Sequence, residues 1–151
     1  MSDPNSTASS LFGNAHRLIE AYHRVLQPFC RETGLPPMAV DILLFIANNP
    51  DSNTAKDICS CRGFKAGIVS VHIERLVSEG LLIRRSAPDD RRMTRLVCSD
   101  AARPLIERGR EIQKSFACRI SEGLTEDDRE HFKKCLDVLS RNIDNIRNSG
   151  I

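Results

Sequence analysis

The chain has 151 residues, 40% hydrophobic and 28% charged, which suits a globular domain with a core of its own. No apolar run approaches the ~20 residues of a membrane helix, and the longest, Ile42 to Ala47, falls far short. The first ten residues are small and polar, with no basic-then-apolar leader pattern, so 1–10 is expected to be a flexible N-terminus and the compartment cytoplasmic. Net charge is only +2, but its distribution is uneven: from Thr54 to Val97 nine Lys/Arg face five Asp/Glu, a local +4, while the rest of the chain sums to −2.

Leu11, Phe12, Ala15, Leu18, Ile19, Tyr22, Val25, Leu26 and Phe29 recur at the spacing of one helix face. Ser9 or Ser10 is placed to cap that helix, and Gly34 with Pro36 and Pro37 to end it. Pro37 suits the first turn of a second helix, Met38 to Asn48, which is apolar nearly all round and therefore central. Thr54, with Asp57 three residues on, opens a short third helix that Gly63 interrupts. A fourth runs from about Lys65 to Glu79, with Ile68, Val69, Ile73, Leu76 and Val77 expected to face inward and Gly80 as its left-handed stop.

After Gly80 the pattern turns strand-like. Residues 81–85 and 94–98 flank Pro88-Asp89-Asp90-Arg91-Arg92, which reads as a long hairpin tip. A fifth helix follows from Asp100 to about Glu122, with Pro104 tolerated in its first turn. Thr125 with Asp128 caps a sixth, whose stripe is Phe132, Cys135, Leu136, Leu139, Ile143 and Ile146.

Short helix, turn with glycine, second helix and hairpin make the winged helix-turn-helix plan: a mainly α fold with a small β-hairpin wing. A helix fits the major groove of B-form DNA, its early residues meeting base edges while the preceding helix braces it across the backbone. A basic hairpin tip reaches the neighbouring minor groove, where negative potential favours arginine.

The stretch from Lys65 to Leu82 resembles the recognition helix and following strand of MarR-type regulators. Pro88-Asp89-Asp90-Arg91-Arg92 resembles their wing motif, an Asp followed closely by Arg, and Leu124-Thr125-Glu126-Asp127-Asp128 their turn before the last helix. The resemblance covers roughly residues 11 to 147. It implies a homodimeric transcriptional regulator on a pseudo-palindromic operator, commonly relieved by a small-molecule effector or an oxidant. Under it, 11–151 is a single domain, with a DNA-binding lobe over 38–98 and dimerisation helices over 11–34 and 100–147. Three positions depart from the family pattern: Lys65 stands in place of a capping Ser or Thr, Val71 of a polar reader, and Ala102 of a Gly after the wing.

By position, Lys65, Ala66, Gly67, Ser70 and Val71 form the leading face of the fourth helix, the alternative being a merely solvated face. Ser70 suits a hydrogen bond to base or phosphate, Val71 contact with a thymine methyl, and Ala66 and Gly67 close approach. Lys65 and Arg75 suit phosphates. In the wing, Arg91 and Arg92 are the tip candidates, Arg95 lies on the returning strand, and Asp90 orients an arginine through a charge-assisted hydrogen bond. Strand alternation sends one of Arg84 and Arg85 away from the nucleic acid.

Other chemistry is weakly supported. Without an export signal the six cysteines do not suggest a disulfide framework. Cys59 and Cys61 point about 200° apart on a helix, no CxxC pair exists, and the four histidines lack a convincing third metal ligand, so neither metal nor cofactor is expected. Cys30, beside the Gly34 turn, is the redox candidate, although a buried thiol fits it better; Cys118 and Cys135 read as core or dimer-interface residues. Cys59 and His72 lack an oxyanion hole, and there is no phosphate-cradling glycine loop, so no enzyme is expected. Two competing readings remain, a winged-helix protein-interaction module and a thiol-based redox-sensing regulator.

Overall fold

The computed structural model describes residues 4–86 and 93–150. Its elements follow in the order α1 (Pro4–Thr33), α2 (Pro37–Asn48), α3 (Ala55–Arg62), α4 (Ala66–Ser78), β1 (Leu82–Ser86), β2 (Thr94–Cys98), a 3-10 turn (Asp100–Ala102), α5 (Arg103–Ile120) and α6 (Glu126–Ser149). The chain divides into two units, Met1–Lys114 and Ser115–Ile151.

In the first unit the core gathers around α2, where eight consecutive residues from Ala39 to Ile46 are buried. Leu26 and Phe29 of α1, Ile58 of α3, Val69, Ile73 and Leu76 of α4, Leu82 and Leu96 of the hairpin and Ile106 of α5 close round it. Each such aliphatic side chain contributes about 1.5–3 kcal/mol on burial. Asp41 is the one charged residue of α2 and is nearly buried; it is met by His23 Nε2 at 3.3 Å. Arg110 of α5 donates to the Ala47 carbonyl and to Asn48, both at 2.8 Å, satisfying groups at the C-terminal end of α2. Arg108 grips Glu32 through two hydrogen bonds, of 2.6 and 2.7 Å, and holds that carboxyl below the usual carboxylate range.

Two boundaries differ from the sequence reading. Helix α1 begins at Pro4, so Ser9 and Ser10 lie inside it rather than at its cap; proline is accepted in a first turn, and nothing before Gly13 breaks the helix. After the hairpin the chain makes a 3-10 turn before α5 starts at Arg103, one residue ahead of Pro104, and α5 stops at Ile120.

The apolar stripe of α1 splits along its length. Its C-terminal end packs on the core, whereas Leu11, Phe12, Leu18, Ile19 and Val25 stay exposed. In the second unit α6 buries no residue, and Phe132, Leu136, Leu139, Ile143 and Ile146, spaced alternately four and three apart, form an uncovered seam. No helix among the described residues is long and apolar enough to cross a membrane.

Candidate nucleic-acid interface

Helix α3 starts on a reciprocal cap: Thr54 Oγ1 accepts from the Asp57 amide at 3.1 Å, and Asp57 accepts from the Thr54 amide at 3.0 Å. It ends at Gly63, whose φ of 68° lies in the left-handed region and swings the chain round to α4. Arg62 lies over the Phe45 ring at 5.3 Å. At the far end of α4, the Gly80 amide bonds to the Val77 carbonyl and the Leu81 amide to the Leu76 carbonyl. That Schellman arrangement, with Gly80 at φ 73°, delivers Leu81 and Leu82 into the core and sets the direction of β1.

Val69, Ile73 and Leu76 anchor α4, so the remaining arc faces outward. Lys65 is the N-cap of α4 and its side chain makes no capping bond there, in keeping with its departure from Ser or Thr. Ala66, Gly67, Ser70 and Val71 are exposed, as predicted. Ile68, expected inward, is instead 43% exposed. It lies about 80° from Leu76 on the helical wheel, at the rim of the buried arc rather than within it.

Arg75 is already engaged within the protein. Its guanidinium donates to the Gly34 carbonyl at 2.6 Å and to Glu79 at 2.9 Å, tying α4 to the turn after α1. Beside it His72 is half-buried with Nδ1 lacking a hydrogen-bond partner; burial, then the nearby Arg75 charge, holds its pKa below the ordinary histidine value.

The strands pair antiparallel, Leu82 opposite Cys98 and Ser86 opposite Thr94. Alternation puts Arg84 on the face of Leu82 and Leu96, where it reaches back to Glu74 of α4 with hydrogen bonds of 2.5 and 3.3 Å. These hold the Glu74 carboxyl below its usual range. The Glu74–Arg84 clamp went unread in the sequence, where strand alternation offered the only hint of it. Arg85 stands directly opposite Arg95. Arg95 is half-buried, its Nε has no hydrogen-bond partner, and among the described residues neither arginine makes an ion pair. Asp90, Arg91 and Arg92 lie outside the described residues.

Cys30 is buried, and both burial and the Asp41 charge push its thiol up, conditions that disfavour a reactive thiolate. Cys98 is raised mainly by burial as well. Cys118 and Cys135 are exposed rather than part of the core.

A family model described as the MarR family matches residues 33–93, from the end of α1 through β1. The chain is similar to the uncharacterized HTH-type transcriptional regulator YdgJ of Bacillus subtilis (strain 168), at 27% identity over 116 residues that cover 77% of this chain and 68% of that protein. Among solved structures it is similar to the transcriptional regulator PA3341, with a TM-score of 0.75 and 25% identity over 93% of this chain and 98% of that one. It also shares its fold with the S. aureus MepR–DNA complex, with a TM-score of 0.71 and 18% identity over 93% of this chain and 99% of that one. This is a family of regulators, not of enzymes. Matched across its helix-turn-helix by that family's model and sharing the winged fold over most of its length, the chain is similar to the winged-helix transcriptional regulators of the MarR family.

Proposed function

We propose that the protein is a homodimeric repressor that binds double-stranded DNA at a pseudo-palindromic operator, placing α4 in the major groove and the hairpin tip in the adjacent minor groove, and that a small-molecule effector releases it. The observation that carries this reading is the pairing of Arg85 with Arg95 across the hairpin. Like charges directly opposite destabilise a strand pair, and a polyanion against the wing would relieve that cost. The local +4 over residues 54–97 acts in the same direction. MepR, which shares the fold, was solved with DNA.

Lys65, Ala66, Gly67, Ser70 and Val71 face the groove in this reading, and Arg91, Arg92 and Arg95 the phosphates or the minor groove, with Asp90 orienting one of them. Arg75 braces α4 from behind. The uncovered stripes of α1 and α6 suit burial between two protomers, since large exposed apolar patches mark interfaces. An open cavity of about 520 Å³, lined by residues including Cys30, Arg31, Leu35, Pro37 and Arg75, lies beside the anchor of α4 and offers an effector a lever on it. In a cytoplasmic regulator the buried Cys30 supports a small-ligand effector better than an oxidant.

The test is the salt dependence of duplex binding. Affinity should fall steeply with salt, and Arg92→Ala should weaken binding and flatten the log–log slope by about 0.9, the value of one phosphate contact. An unchanged affinity and slope would remove the wing from the mechanism.

A further inference from the structure

The ridge of α4 that faces away from the core is poor in hydrogen-bonding groups. At about 100° per residue, opposite Val69, Ile73 and Leu76 stand Gly67, Val71, Glu74 and Ser78. Val71 is 67% exposed, the most exposed large apolar side chain of the helix-turn-helix, with Ile68 exposed beside it. Glu74 is held by Arg84 and Arg75 by Gly34 and Glu79, so neither is a free reader. Among residues 66–71 the Ser70 hydroxyl is the one side chain able to hydrogen-bond. Guanine is ordinarily read by Arg or Lys and adenine by Asn or Gln; the ridge presents none of these uncommitted, and Lys65 precedes it at the cap.

Gly67 fits the same picture. A Cβ built there meets nothing within 4 Å, so internal packing does not require glycine. Its effect is outward: a bare turn ahead of Val71 lets the helix seat more deeply. An exposed apolar ridge set in a segment carrying a net +4 suits a polyanion that presents apolar groups, rather than an apolar protein surface.

We infer that this helix reads DNA chiefly by apolar contact, Val71 and Ile68 packing on thymine C5-methyl groups, so that the operator half-sites carry thymines under the ridge and are told from other sequences by those methyls. The inference rests on the DNA-binding reading above and adds the base class recognised.

The experiment uses the full chain and a duplex recovered from a random pool by selection, compared with the same duplex carrying deoxyuridine in place of the half-site thymines. Uracil keeps every hydrogen-bonding group and removes only the methyl. Wild-type protein should lose roughly fourfold in affinity per contacted methyl. Val71→Ala should bind the thymine duplex more weakly and lose most of its sensitivity to deoxyuridine, with an unchanged salt slope. Equal wild-type affinity for both duplexes, with site selection intact, would overturn methyl reading and leave DNA binding standing. Failure to select any duplex would overturn both. The deoxyuridine comparison needs no variant and so does not depend on how Val71→Ala folds.

Discussion

His72 and Arg75 share a face of α4 but differ in how far the sequence could reveal them. Arg75 suits phosphate by its position on the helix, yet its acceptor is the Gly34 carbonyl, 41 residues away, and no local pattern signals a bond of that separation. His72 follows Val71 in the sequence of α4 but sits beside the buried arc, and only the packed structure shows its Nδ1 shut away without a partner. Because burial lowers its folded pKa below the ordinary histidine value, the unfolded chain binds the proton more readily. The stability associated with neutral His72 is therefore complete above pH 6.5 and is lost as pH falls from there towards the folded value. Replacing it, as in His72→Gln, should flatten the drop in urea midpoint between pH 7.5 and about 5.5 relative to wild type. Identical pH profiles for the two proteins would contradict this account of the site.

At the level of elements, the most legible features were those made by neighbours in sequence. The boxes at Thr54 and Thr125, the stops at Gly63 and Gly80 and the second helix, apolar nearly all round, each rest on residues a few positions apart, and the structure bears out all of them. Ile68 was misread because a 3.6-residue period does not separate the rim of an apolar arc from its centre. The Glu74–Arg84 clamp depends on how the hairpin lies against α4, which no single element specifies. Two helical glycines give a direct test of the packing. At Gly109 an added Cβ would lie 2.7 Å from the buried Leu44 side chain, whereas at Gly67 it meets open space. Gly109→Ala should lower stability, a strain of about 1–3 kcal/mol outweighing the gain in helix propensity. Gly67→Ala should instead raise stability by up to about 1 kcal/mol. Thermal melts of the two variants check the signs; a gain at both positions would mean that Leu44 is looser than its burial implies.

On the scale of the whole molecule, the fold, the wing and the charged middle were readable because each recurs as a pattern: element order, a hairpin with basic residues, an excess of Lys and Arg between Thr54 and Val97. What a single chain's sequence did not reveal was how much of its periodic apolar surface would remain uncovered. The stripe of α1 is continuous in sequence, yet only its second half meets the core, and that of α6 is left exposed. A dimer gives both stripes a purpose, and it also ties their burial to DNA recognition, since a two-fold protein reads a two-fold site. Selection of bound sequences from a random duplex pool, under reducing conditions and near-physiological salt, tests that claim most directly. The account predicts a two-fold symmetric motif whose half-sites lie about one helical turn apart, centre to centre. Enrichment of no motif, or of a single unpaired half-site, would contradict it.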